Sequence, residues 1–236
     1  MCVKEDKKVA ALILAAGMGS RMNMPVTKQR LSLCGKSVLL RSVEAHMASR
    51  LVDTVTVVCR GDEVDFVRAE LAFLNEKPTY IVIGGKTRAE SARLGFESID
   101  DDVDYVSIHD GARCLVTREM IDKVILAAFE YGAATAATPI TDTVKLTDSD
   151  GKIKSTVPRE NLWAAATPQA FSRELYQRAL LSNDTLCETV TDDNILLERL
   201  GVFPVCVDTG KENMKITTPE DLALAEFLIQ RRTCEV

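Results

Sequence analysis

The stretch "VAALILAAGMGSRM", residues 9–22, decides how the rest of the chain is read. Its first six residues are continuously apolar, as in a strand buried on both faces, which is the habit of parallel sheets. The run then breaks into Gly17 and Gly19, with a fixed positive charge close behind at Arg21. Glycines at the carboxyl end of a strand let backbone approach a ligand closely, and an arginine beside them suits an anion. Lysines ahead of the run imitate a signal peptide. However, the run is short, acidic residues interrupt the charged part, and glycines stand where a cleavage site belongs. A buried first strand is the expectation.

Outward from this stretch the pattern repeats. "TVTVVC" (54–59), "YIVIGG" (80–85) and "YVSIHD" (105–110) read as further strands. Helical periodicity fills residues 37–49, 62–74, 87–99 and 117–131 between them. Such alternation predicts an α/β fold with a mostly parallel central sheet and helices on both faces. Ligands in these sheets gather beyond the carboxyl ends of the strands. The rhythm then changes at "DTVKLTDSDGKIKSTVPRE" (142–160), where two alternating segments flank an Asp-Ser-Asp-Gly turn. That is a β-hairpin too polar on both faces for the middle of a sheet, so it reads as a protruding arm over about residues 139–158. Helices at 172–181 and 192–200, a strand at 203–207 and a last helix opened by "TTPEDLALAEF" (217–227) complete the chain. Thr218, Pro219 and Asp221 supply that last helix with a cap and an acidic first turn. A single domain over 1–236, with one excursion, is expected.

Composition narrows the function. With 236 residues, 46% of them hydrophobic, the chain can bury a core without staples. The net charge of -6 argues against general affinity for nucleic acid or membrane surfaces, so an anion site must be local. Seven scattered cysteines with no CxxC spacing fit a reducing, cytoplasmic compartment. His46 and His109 are the two histidines, too few for histidine-rich metal or triad chemistry.

The glycine loop lacks the marks of two familiar phosphate binders. A dinucleotide fingerprint wants a glycine where Met22 stands and an acidic residue where Arg60 follows the second strand. No Gly-Lys-Ser/Thr ending is present for a Walker loop. Instead "RMNMPVTKQRLSL" (21–33) adds Lys28 to Arg21, and two cations after a glycine turn fit a polyphosphate cradle.

"LAAGMGSRM" and "TKQ", followed in order by "GGKTRAESARLG" (84–95), "HDGAR" (109–113), "PRENLWAAATPQAF" (158–171), "TDD" (191–193) and "NMKITTPEDLALAE" (213–226), resemble the 2-C-methyl-D-erythritol 4-phosphate cytidylyltransferases, members of the nucleotidyltransferase superfamily. The resemblance spans nearly the whole chain. It implies a Rossmann-like domain whose hairpin arm embraces the partner of a homodimer. It also implies transfer of a cytidylyl group from CTP to methylerythritol phosphate with release of pyrophosphate, aided by Mg²⁺ or another divalent cation. On this resemblance Arg21, Lys28 and Lys215 stabilise charge on the reacting phosphates. The backbone of Leu14, Ala15, Ala16 and Gly17 reads the nucleotide with Gly85, Lys86 and Ser91. Asp110, Arg113, Thr143, Arg159, Thr167 and Thr191 hold the phosphorylated polyol, those at the arm's roots (Thr143 and Arg159) serving the neighbouring subunit. Asp110 is also the candidate for a direct or indirect metal contact. Trp163 is expected to build the core around the site, and His109 to be a structural strand residue. Lys28 and Lys215, taken as exposed loop cations, should matter little to stability.

Three departures are visible: Thr27 where the family has proline, Gly111 where alanine is common, and Cys114 where proline is usual. None removes a functional group. The ribitol-5-phosphate cytidylyltransferases are the nearest alternative, and a non-catalytic nucleotide-binding module is another. The residue runs "HDGAR" and "LWAAATPQ" favour the first reading, and retention of all three cations disfavours the last.

Overall fold

The computed structural model describes residues 6–17, 27–182 and 190–234. Its centre is β1 (Val9–Leu14), whose six residues are all buried. β1 pairs in parallel with β4 (Thr54–Cys59) on one side and β6 (Tyr105–Asp110) on the other. β5 (Thr79–Ile83) extends the β4 side, also in parallel. Beyond β6 lie β10 (Trp163–Ser172), β7 (Ala133–Pro139) and β11 (Val205–Asp208), giving the order β11-β7-β10-β6-β1-β4-β5. β10 alone of the seven runs antiparallel to its neighbours. A two-stranded ribbon, β2 (Ser32–Leu33) with β3 (Lys36–Ser37), precedes α1 (Val38–Ala48).

Helices cover both faces, because strands buried on both sides need partners on both. Leu39 and Val43 of α1, Val67 and Leu71 of α2 (Val64–Leu71), and Ile121 and Ile125 of α4 (Arg118–Tyr131) pack on one face. On the other, Ala92 and Phe96 of α3 (Arg88–Glu97) join Tyr176 of α5 (Arg173–Leu181) and Leu197 of α6 (Asn194–Glu198). A third cluster holds α7 (Pro219–Cys234) against the ribbon through Leu33, Leu115 and Leu228. Caps set the helix starts: the side chains of Ser37, Thr87, Thr117 and Ser172 accept from Leu40, Glu90, Met120 and Leu175 N–H groups. Each is typically worth about 1 kcal/mol. Gly132 ends α4 in the left-handed conformation, φ 81°, which glycine adopts without a Cβ clash.

Most predicted elements stand where the periodicity put them, with instructive exceptions. β5 stops at Ile83 because Gly84 and Gly85 turn away into the cleft. The expected helix at 192–200 shrinks to α6, since Asp192 and Asp193 are drawn into hydrogen bonds of their own. Two strands of the central sheet were invisible in the sequence, as was the short ribbon of β2 and β3. β7 reads "AATAATP", and β10 contains three consecutive alanines and Pro168, so alanine dilutes the few β-branched residues and neither carries a clear strand signal. Burial between neighbours overrides that weak propensity. The hairpin forms as expected from β8 (Val144–Thr147) and β9 (Ile153–Val157), paired antiparallel. Asp148 Oδ1 accepts from the N–H groups of Asp150 and Lys152, and Gly151 takes φ 79° to close the turn.

Candidate active site

Register gathers the site. Leu14 pairs with Val58 and with Asp110, and Cys59 with Ile83, so the carboxyl ends of four adjacent strands form one edge. The chain leaves β1 toward β4 and returns to β6 on the opposite side, which opens a crevice at that edge. Leu14, Ala16 and Gly17 line it from β1. Gly85, Lys86 and Ser91 line it from the turn into α3, with Lys28, Asp110 and Lys215 across from them. Ala15 lies immediately beneath, its N–H bonded to the Val58 carbonyl. A second cavity opens beside the first, walled by Arg113, Thr167, Thr191 and Asp192. Arg88, Asp110 and Lys215 belong to both.

The turn from β5 into α3 is fixed from within. Ser91 is buried; its hydroxyl accepts from Gly85 N–H (3.1 Å) and donates to Thr87 C=O (2.9 Å). A Cβ on Gly84 would stand 2.7 Å from Ala16 Cβ, so glycine is what lets the two loops meet. At Gly17, by contrast, an added Cβ meets nothing within 4 Å among the described residues. Gly17 lines the crevice.

Asp110 is the electrostatic centre. Arg88 Nε donates to its Oδ1 at 3.0 Å, Lys215 Nζ to its Oδ2 at 2.7 Å, and Arg113 Nε lies 3.8 Å from Oδ2. Burial opposes ionisation of this carboxyl, but Arg88, Lys215 and Arg113 outweigh it and hold the group far below the usual carboxylate range. Arg88 also donates through Nη1 to Asp193 Oδ2 at 2.7 Å. Asp193 is wholly buried and accepts from Tyr176 Oη (2.6 Å), while its N–H donates to Gln169 Oε1 (3.0 Å).

Hydrogen bonding fixes the rest of the wall. Thr167 Oγ1 accepts from Asp110 N–H, and its hydroxyl proton goes to His109 Nδ1 at 3.2 Å. That leaves His109 Nε2 as the donor to the Arg113 carbonyl. Burial drives the His109 pKa well down, so the ring stays neutral, in keeping with a structural role. Arg113 donates through Nη1 to the Asn213 carbonyl, and Ile216 N–H to Ala112 C=O, tying the "NMKI" segment to the end of β6. Lys28 lies in a short 3₁₀ turn (Lys28–Arg30) and donates to Ile216 C=O at 3.4 Å.

The structure thus brings together every proposed nucleotide residue and most of the proposed acceptor residues. Arg21 lies outside the described residues, as do Gly19 and Pro25. Thr143 and Arg159 stand exposed at the arm's base, where the Arg159 guanidinium donates to the Thr141 carbonyl, and neither lines the cleft of its own protomer. Two expectations need correction. Lys28 is 9% exposed, so it is a buried cation rather than a surface one, and removing it will cost stability. Trp163 is 39% exposed at the arm's root and builds no core. Sequence reasoning missed Arg88, Asp193 and Gln169. Arg88 was in view within "GGKTRAESARLG", but an arginine in the first turn of a helix reads as solvated until a fold sets it between two buried carboxylates.

For a metal, Asp110 offers one carboxylate with both oxygens already held by cations. Among the described residues no three His, Cys, Asp or Glu groups come together to cage an ion. These residues do not cage a resident metal.

Comparison with known proteins agrees with this geometry. The sequence profile of the family described as IspD: 2-C-methyl-D-erythritol 4-phosphate cytidylyltransferase matches residues 9–231. A protein of that name from Pelotomaculum thermopropionicum is 44% identical, over 95% of both chains. Another, from Microcystis aeruginosa, is 41% identical over 94% of this chain and 98% of its own. The crystal structure of 4-diphosphocytidyl-2C-methyl-D-erythritol synthase from Anaerococcus prevotii superposes with a TM-score of 0.84 at 29% identity, covering 95% of this chain and 99% of that one. No helix among the described residues is long and apolar enough to cross a membrane. With a profile match over nearly its whole length and relatives above 40% identity, the chain belongs to the 2-C-methyl-D-erythritol 4-phosphate cytidylyltransferase family of nucleotidyltransferases.

Proposed function

We propose that the β1-side cavity takes CTP, that the adjoining cavity takes 2-C-methyl-D-erythritol 4-phosphate, and that the reaction happens where they meet. The observation that carries this reading is the Lys215–Asp110 contact, 2.7 Å long, in the wall common to both cavities. A phosphate oxygen of the acceptor attacks the α-phosphorus of CTP, the new P–O bond forms in line, and the bond to the β-phosphate breaks to release pyrophosphate. Two polyanions meet in this step, so catalysis is mainly charge neutralisation and alignment. Lys215 stands nearest the junction and stabilises the five-coordinate phosphorus. Lys28, with Arg21, takes up the charge of the leaving pyrophosphate. Leu14, Ala15, Ala16, Gly17, Gly85, Lys86 and Ser91 shape the nucleoside pocket, and the open space at Gly17 is filled by the nucleotide. Asp110, Arg113, Thr167 and Thr191 face the polyol. The hairpin makes a homodimer and carries Thr143 and Arg159 to the partner's acceptor cavity. A divalent cation, Mg²⁺ or a similar ion, arrives on the triphosphate and meets Asp110 indirectly; the enzyme works in the cytoplasm.

The acceptor is the part most open to test. Pyrophosphate release is measured with CTP and Mg²⁺ and either methylerythritol phosphate or ribitol 5-phosphate. A kcat/KM at least a hundredfold higher for the first is expected, since buried polar groups left unpaired by the wrong hydroxyl pattern discriminate strongly. Equal or reversed values would overturn the acceptor assignment and leave only cytidylyl transfer.

A further inference from the structure

Arg88 has no part in the mechanism above, yet among the described residues it forms, with Asp110 and Lys215, the stretch of wall that the two cavities have in common. Its guanidinium forks between two buried carboxylates: Asp110, 3.0 Å from Nε, and Asp193, 2.7 Å from Nη1. Its third nitrogen, Nη2, is buried with no hydrogen-bond partner among the described residues. The arginine is itself held in place, because α3 begins at Arg88 and Thr87 caps that turn. Asp193 is held too, by Tyr176 Oη and by its N–H on Gln169. Asp110 is therefore gripped on one oxygen by a rigid fork, and it presents the other to Lys215.

A half-buried arginine has a bland explanation: it neutralises Asp193, which would otherwise be an unpaired charge in the interior. That explanation accounts for Nη1. It leaves Nε on Asp110 unexplained, because Asp110 already has Lys215 at 2.7 Å and Arg113 nearby. Planarity matters here. One guanidinium offers donors in fixed directions to two acceptors, whereas a lysine ammonium is a single point that serves them less specifically. We propose that Arg88 is a positioning residue: it fixes the Asp110 carboxylate in the orientation that aims Lys215 into the junction of the two cavities.

This rests on reading those cavities as nucleotide and acceptor sites, so the test includes one readout that needs no substrate. In R88K both carboxylates keep a neutralising charge but lose the fork. Expected is a kcat lowered at least tenfold, a KM for CTP within threefold of wild type, and a melting temperature within a few degrees. The double variant R88Q/D193N removes both the arginine and the carboxylate it would strand. If Arg88 serves only to neutralise Asp193, the double variant regains wild-type kcat along with its stability, which would overturn the proposal. The positioning role predicts recovered stability with kcat still at least tenfold down. A crystal structure of R88K supplies the substrate-free readout. Rotation of Asp110 away from Lys215 supports the inference, and an unchanged carboxylate with the contact near 2.7 Å refutes it. If the wild type fails to turn over CTP while Asp110 still rotates in R88K, the functional reading fails and the role of Arg88 in orienting Asp110 stands.

Discussion

In the cleft, Asp110 is 8% exposed and lies among three cations held at fixed distances, whereas on the hairpin arm Lys145, Lys152 and Lys154 stand in water. Apolar residues are treated in the reverse way. Around the cleft Leu14 and Ala112 are buried, while on the arm Leu146 and Ile153 are 54% and 65% exposed. The contrast separates two kinds of functional surface. Burying charges costs several kcal/mol each unless partners compensate, so a folded chain keeps such a cluster where ligand chemistry requires it. Exposed apolar side chains on a two-stranded hairpin are the opposite case: such a hairpin is marginal alone and gains stability from a partner surface.

The contrast is sharpest at Lys215. Its side chain is one-third exposed and its ammonium paired with Asp110, so Lys215→Ala should fold with a modest loss of stability. Turnover is expected to fall a few hundredfold, since one preorganised charge at a phosphoryl transition state is typically worth about 3–4 kcal/mol. Steady-state pyrophosphate release beside a thermal melt checks both halves, and turnover within threefold of wild type would remove Lys215 from the mechanism.

Arm and cleft meet in the proposed dimer, where they can be separated by complementation. Lys215→Ala disables a cleft and Arg159→Ala disables an arm, each in both sites of a homodimer. Random pairing of the two inactive proteins puts about a quarter of all sites in an intact state. Activity rising from near zero toward that fraction is expected once subunit exchange has been verified by mass spectrometry. Exchange without recovery means that Arg159 serves its own protomer or no site at all.

A smaller effect probes the interior beneath α1. His46 is completely buried, donates through Nδ1 to the Ser42 carbonyl (2.7 Å), and lies 4.8 Å from the His109 ring. Burial lowers its pKa to about 4. The unfolded chain takes up this proton near pH 6.5 and the folded chain only near 4, so the contribution is full above 6.5 and falls as pH drops through that window. Between pH 7 and 4.5 the loss from His46 should be about 2–3 kcal/mol. Urea melts of wild type and His46→Phe at the two pH values measure it; identical pH dependence in the two proteins would show that His46 does not carry the effect.

The legibility of these parts in the sequence differed for physical reasons. The run Val9–Leu14, the alternation of strand and helix, and the Asp-Ser-Asp-Gly turn were plain because each is a local pattern repeated at a fixed period. The glycine loop, Lys28 and Lys215 were legible through motifs, which preserve spacing within a segment. β7 and β10 were not, because alanine-rich strands carry no local signal and owe their conformation to the neighbours on either side.

What the sequence determined by itself was the kind of fold, the edge of the sheet at which ligands gather, and the cations available there. Only the tertiary structure decided which of those charges are buried. Lys28, read as a loop cation, became an interior group, and Arg88, which no motif singled out, became the link between Asp110 and Asp193. Burial is a property of the surroundings, assembled from residues as far apart as Arg88, Asp193 and Lys215, and no window along the chain contains all three. The sequence supplies the charges; the low-dielectric setting that gives them their strength exists once β1, β6 and α3 have packed.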